Sequence, residues 1–215
     1  MIRVVVADDH TIVREGLRQL LELAGDMVIA AEAVNGYEVI DRVRATDFDI
    51  LLLDLSMPGK SGMELIRQVK SEKPKLKILV LSMHEENQYA VRAIKAGASG
   101  YLTKDSASVE LVSAIRKLAA GGAFISAEVA EQLARDAHGA DNALPHTTLS
   151  DREYQVFRML VAGDSLTAIA ERLNLSIKTI STHKARLMQK MSVGNQAELI
   201  RYAIAHKLSD GDRTD

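Results

Sequence analysis

The chain has 215 residues, 47% of them hydrophobic and 26% charged, with a net charge of −2 and no cysteine. That length fits one large domain or two of about 100 residues each, and the composition is too apolar for a disordered chain. Without cysteine there is no disulfide scaffold, no cysteine-ligated zinc or iron–sulfur site and no cysteine nucleophile.

The apolar runs are far shorter than the roughly 20 residues of a membrane span. Charge at Arg3 and Asp8 interrupts any signal-peptide core. A cytoplasmic protein without membrane contact is expected.

Taken in chain order, apolar runs bounded by turns predict strands at 3–7, 27–33, 50–54, 77–82 and 100–103. Helical-period stretches fall between and after them, at 11–23, 36–45, 62–71, 86–96 and 106–120. Several strands are apolar at every position, which requires burial on both faces. Five strand-then-helix units imply a doubly wound α/β domain, a five-stranded parallel sheet with right-handed crossovers. This domain is placed at 1–123.

Residues 124–147 read as a linker holding a short helix near 127–137, then a polar stretch with Gly139 and Pro145. After it come helical segments only. Ser150-Asp-Arg-Glu153 is a capping box, so a helix starts there and runs to about Ala162. Further helices are expected at 166–173, 178–191 and 195–206, the first two joined by a tight turn at 174–176 with Ser176 as N-cap. This all-α domain is placed at 148–208, with a tail at 209–215.

Ligands of such sheets bind beyond the carboxyl ends of the strands. Asp8 and Asp9 end the first strand, Asp54 the third, Ser82 the fourth and Lys104 the fifth. Three converging carboxylates repel unless a cation joins them. A compact oxygen-only site suits Mg²⁺. One carboxylate can then act as nucleophile toward a phosphoryl group, with metal and ammonium stabilising charge on its oxygens. Lys104 is placed to be that ammonium, and Ser82 to donate a hydroxyl to the product.

The helical half carries a hidden charge asymmetry. Residues 174–207 hold six Lys and Arg against one acid, Glu198. Local field, not net charge, governs encounter with nucleic acid. The helix at 178–191 bears Lys178, Thr179, Ser181, Thr182, His183, Lys184, Arg186 and Lys190 and no acid. Ile180, Leu187 and Met191 mark its buried stripe. Paired with the helix at 166–173 it fits a helix-turn-helix, with hydroxyls for base edges and cations for phosphates.

Asp8-Asp9, Asp54-Leu-Ser-Met-Pro58, Ser82 and Gly100-Tyr-Leu-Thr-Lys104 resemble a response-regulator receiver domain. Residues 149–200 resemble the LuxR-type helix-turn-helix. Together they resemble the NarL/FixJ family of two-component response regulators. The resemblance implies phosphorylation of Asp54 by a sensor histidine kinase. Asp9, Asp54 and the backbone carbonyl of Ser56 would bind Mg²⁺ directly, and Asp8 largely through water. It also implies that Lys104 contacts the phosphoryl oxygens, that Ser82 and Tyr101 form a switch pair, and that Ser181, Thr182 and His183 face the groove floor. Phosphorylation would promote a homodimer on inverted-repeat promoter DNA, acting with RNA polymerase. Two departures from the family are visible. Asp105 follows Lys104 where many receivers have proline, and Thr167 stands where a phosphate-facing lysine is common.

Two other functions compete. A phosphatase of the haloacid-dehalogenase type also uses an aspartyl nucleophile, but needs a second acid two residues on, where this chain has Ser56. A DNA-binding protein without a switch would not need the complete acidic pocket.

Overall fold

A computed structural model describes residues 1–58, 62–83, 87–137, 144–206 and 208. Glu86 at the expected start of the fourth helix, the linker glycine Gly139, Lys207 and the tail 209–215 lie outside the described residues. The chain divides into two compact units, Met1–Ala134 and Arg135–Asp215.

In the first unit, strands β1 (Ile2–Ala7), β2 (Met27–Ala33), β3 (Ile50–Asp54), β4 (Lys77–Ser82) and β5 (Gly100–Thr103) form one sheet in the order β2-β1-β3-β4-β5. Every pairing is parallel. The expected doubly wound sheet is therefore present, with the strand order reversing between β1 and β3. Pleating sends alternate residues to opposite faces. Val5, Ala7, Leu51, Leu53, Ile78 and Val80 pack under α2 (Gly36–Ala45), α3 (Gly62–Glu72) and α4 (Asn87–Ala96). Val4, Val6, Ile50, Leu52, Leu79 and Leu81 pack under α1 (Thr11–Ala24) and α5 (Lys104–Ala119). Burial on both faces explains why β3 is apolar until its final residue, Asp54.

Helix ends follow from local chemistry. Asn35 caps α2 by accepting from the backbone N–H groups of Tyr37 and Glu38. Gly25 ends α1 at φ 74°, a left-handed conformation that glycine adopts without strain. Thr103 caps α5 through the Ser106 N–H, so that helix begins at Lys104 itself. Asp105 then lies in the first turn, where its charge favours the helix dipole.

The chain does not leave the sheet after α5. Phe124 pairs in parallel with Gly100, and Tyr101 N–H donates to the Phe124 carbonyl at 2.9 Å. A Cβ on Gly100 would meet Leu79 Cδ1 at 2.9 Å and the Phe124 oxygen at 3.0 Å, so only glycine permits this approach. Helix α6 (Ala127–Ala137) follows and buries Val129 against Ala90 and Val91 of α4, with Tyr101, Ile125 and Leu133 around the contact.

The second unit is helical. A single 3-10 turn at Pro145–Thr148 precedes α7 (Asp151–Ala162), α8 (Leu166–Leu173), α9 (Ile177–Lys190) and α10 (Gln196–Ala205). The Ser150–Glu153 capping box forms as expected. Asn174, at φ 52°, makes the tight turn from α8 into α9, and Ser176 caps α9 through the Thr179 N–H. Tyr154, Phe157, Leu160, Ile169, Ile180, Leu187 and Leu199 are among the fully buried side chains of this unit. No helix among the described residues is long and apolar enough to cross a membrane.

Candidate metal centre and nucleic-acid interface

Strand register brings the expected acidic residues to one edge. Ala7 lies opposite Leu53, Asp54 opposite Leu81, and Ser82 opposite Thr103, so the strands end nearly in step. Asp8 and Asp54 are each 1% exposed and Ser82 is fully buried. Asp9 and His10 are exposed at the rim. Burying carboxylates is costly unless they are paired. Lys104 supplies the pairing, its Nζ lying 2.9 Å from Asp54 Oδ2 and 2.7 Å from Asp8 Oδ2. Burial opposes its charge, but the hydrogen bonds and charges of the two carboxylates outweigh burial and hold its pKa above the ordinary lysine value.

Both oxygens of each buried acid have assigned neighbours. Asp54 Oδ1 accepts the Ser56 N–H at 3.0 Å, which turns the chain sharply after β3. Asp8 Oδ1 accepts the His10 N–H at 2.8 Å. Asp8 Oδ2 is buried and pairs with the Lys104 ammonium at 2.7 Å. One ligand atom from each of Asp8, Asp9, His10 and Asp54 lies within 4.8 Å of all the others. Octahedral Mg²⁺ holds opposite ligands about 4.2 Å apart, so shifts of a few tenths of an ångström would place this set around one ion. The residues present fit a hard divalent cation.

Tyr101 reaches the same region from β5. Its hydroxyl is hydrogen-bonded with Ser82, and burial pushes the phenol up to about 12, with that hydrogen bond opposing and the Asp54 charge assisting. A cavity of about 250 Å³ lies beside the ring, lined by Ala90, Thr103, Ser106, Glu110, Phe124 and Val129.

On α9 the structure sorts the expected DNA-contacting residues. Lys178, Ser181, Thr182 and Arg186 form an exposed stripe opposite the buried Ile180 and Leu187. Thr179 is half-buried and its hydroxyl is tied to Ser176 Oγ at 2.8 Å. Lys184 is half-buried beside Gln196 Oε1, 3.5 Å away. His183 and Lys190 depart from the expectation. His183 lies three residues after Ile180 and four before Leu187, which is the phase of the buried stripe. Its Nδ1 is buried without a hydrogen-bond partner, and desolvation, followed by the Arg152 charge, lowers its pKa. Lys190 donates to Glu153 Oε2 at 2.7 Å, which ties α9 to the start of α7.

Sequence reasoning passed over His10, although it directly follows the two aspartates. It also missed Phe124 and Val129, because strand pairing of one residue leaves no periodic signal.

Residues 4–116 match the response regulator receiver domain family, and residues 147–203 match the bacterial regulatory proteins of the luxR family. Response regulator UvrY of Escherichia coli is 36% identical over 99% of this chain and 98% of its own length. The chain is a two-component response regulator of the NarL/FixJ family. RcsB of Salmonella enterica serovar Typhimurium, solved bound to a promoter with the phosphomimetic BeF3⁻, matches this regulator with a TM-score of 0.67 and 32% identity. That likeness covers 95% of the regulator and 98% of the RcsB chain. A further structure, of two RcsB dimers on two parallel DNAs, matches with a TM-score of 0.59 and 31% identity, covering 95% and 98%.

Proposed function

We propose that Asp54 accepts a phosphoryl group from a sensor histidine kinase with the help of Mg²⁺. The phosphorylated chain then dimerises on inverted-repeat promoter DNA and regulates transcription by RNA polymerase. The buried Asp8–Lys104–Asp54 constellation carries this reading, because an ammonium shared by two carboxylates at a sheet's carboxyl edge is arranged for phosphoryl chemistry.

An Asp54 oxygen attacks phosphorus of a phosphohistidine. The O–P bond forms as the P–N bond breaks, and the leaving imidazole nitrogen keeps the electron pair. Asp9, Asp54 and the Ser56 carbonyl would hold Mg²⁺, with Asp8 acting through water. The ion supplies neutralisation of the transferring oxygens when bound. Lys104 moves its contact from carboxylate to phosphoryl oxygen. Ser82 turns its hydroxyl toward the phosphate, and the Tyr101 ring, already its neighbour, packs into the space released.

The chain hydrolyses its own acyl phosphate slowly and turns over no other substrate. Ser56, where a phosphatase needs its second acid, supports that reading. Lys178, Ser181, Thr182 and Arg186 present cations and hydroxyls together, which supports α9 as the element that enters the major groove. The proposed division is a receiver at 1–123, a linking segment at 124–147 whose first part and short helix pack back on the receiver, a DNA-binding domain at 148–208 and a tail at 209–215. The absence of cysteine and the basic helix suit a cytoplasmic site of action.

Incubation with a small phosphodonor and Mg²⁺ tests this. One stable phosphate per wild-type chain and none on Asp54→Asn is expected. Phosphate release so fast that no labelled chain accumulates would mark a phosphatase, and full labelling of Asp54→Asn would remove Asp54 from its role.

A further inference from the structure

The phosphoryl-transfer reading leaves one side chain of the pocket idle. His10 Nδ1 lies 3.0 Å from Asp9 Oδ1 and 3.1 Å from Asp8 Oδ1. Adjacent ligands on one octahedral first-row ion stand about 3 Å apart. The imidazole nitrogen and the Asp9 oxygen therefore already hold the spacing of adjacent ligands to a shared cation, with Asp8 beside them to act through water. His10 is also 63% exposed, so its ring turns without disturbing the core.

The geometry points to His10 as a fourth metal ligand that sets which divalent cation the pocket takes. This rests on the reading that Asp8, Asp9 and Asp54 hold a cation. Their oxygens alone suit a hard ion such as Mg²⁺, which keeps its waters and gains little from nitrogen. An imidazole turns the donor set into mixed nitrogen and oxygen, which favours Zn²⁺ and the other first-row ions. A different role for His10 would be to brace the two carboxylates by donating from Nδ1. A brace would support every cation alike, whereas a ligand discriminates among them.

Calorimetric titration of the full chain with Mg²⁺ and with Zn²⁺ separates these roles, comparing wild type with His10→Ala. Losing an outer-shell partner already costs 10- to 100-fold in metal affinity, so losing a direct ligand should weaken Zn²⁺ at least about tenfold. Mg²⁺ affinity should stay within about threefold, since oxygen ligands carry it. Excess Mg²⁺ should compete with the Zn²⁺ titration, which places both in one pocket and excludes histidines elsewhere. Pulsed electron paramagnetic resonance of the Mn²⁺-loaded chain should show imidazole ¹⁴N modulation that His10→Ala removes. Equal weakening of both metals, no weakening of either, or no ¹⁴N signal in the wild type would each overturn the proposal. If the wild type binds no Mg²⁺ at all, the underlying pocket reading falls as well, and the phosphodonor experiment would show that independently.

Discussion

Lys104 is 10% exposed between two carboxylates that are 1% exposed. Removing one partner of a buried ionic group leaves the rest uncompensated, at a cost of about 3–5 kcal/mol. Lys104→Met should therefore lower the unfolding free energy by about 3 kcal/mol in a metal-free buffer. Mg²⁺ should restore part of that loss, because it binds the folded pocket and supplies the missing positive charge. Urea titrations with EDTA and with excess Mg²⁺ measure both. A variant as stable as wild type in EDTA would show that the pairing carries no weight. These residues were legible in the sequence because each ends an apolar run, and buried parallel strands must end together at one edge. His10 was not legible as part of the site. Its position after Asp8-Asp9 is equally that of a residue leading into α1, and only the fold turns its ring back over both carboxylates.

At the scale of elements, α7 and α9 are joined by a contact that no local pattern announces. The capping box around Ser150 is a four-residue signal and was readable. The attachment of Lys190 to Glu153 spans 37 positions and depends on how the helices cross. Burial pushes the Glu153 carboxyl up. The Lys190 ammonium and the Ser150 backbone and hydroxyl outweigh burial and hold its pKa below the ordinary glutamate value. A depressed carboxyl pKa contributes stability that is present above the unfolded value and lost as pH falls through the folded one. Glu153→Gln keeps the reciprocal cap, which glutamine also makes, and removes the ion pair, so it should cost up to about 1 kcal/mol at neutral pH, and the difference from wild type should shrink as pH falls below the ordinary glutamate range. Chemical unfolding along a pH series from 7 down through the carboxylate range decides it; a gap that does not shrink at all along that series would rule out the ion pair as its source. The same contact bears on DNA. With Lys190 engaged, two or three of the four α9 cations remain for phosphate. The slope of log K on log salt should then be about −2 to −3 per monomer. Lys178→Ala should reduce the slope by about one, and Lys190→Ala should leave it nearly unchanged.

At the scale of the whole molecule, the first unit extends beyond its expected end at 123. A flexible linker from 124 onward would have decoupled the receiver from anything after it. Instead Phe124 adds to the sheet edge at Gly100, and Val129 is buried on α4. Tyr101 touches both systems, being hydrogen-bonded with Ser82 and packed beside Ile125 and Val129. Any movement of Ser82 toward a phosphate thus reaches the start of α6 through one aromatic ring. A ligand-like event shifts an equilibrium only through contacts that differ between its states, and this ring supplies such a contact. A charged residue at Val129 should break it. Val129→Asp places an unpaired charge in a buried apolar contact, so α6 should detach while Asp8, Asp54 and Lys104 keep their ion pairs. The variant should take up phosphate on Asp54 as the wild type does. In the wild type, phosphorylation should tighten binding to an inverted repeat much more than to a single half-site, because a dimer engages two half-sites about one DNA turn apart. In Val129→Asp that preference should shrink toward the unphosphorylated level. Fluorescence anisotropy on paired and single half-site DNA, with and without the phosphodonor, reads all four states. An undiminished preference in the variant would mean that the signal leaves the receiver by another face, and α6 would then be a passive cover over α4.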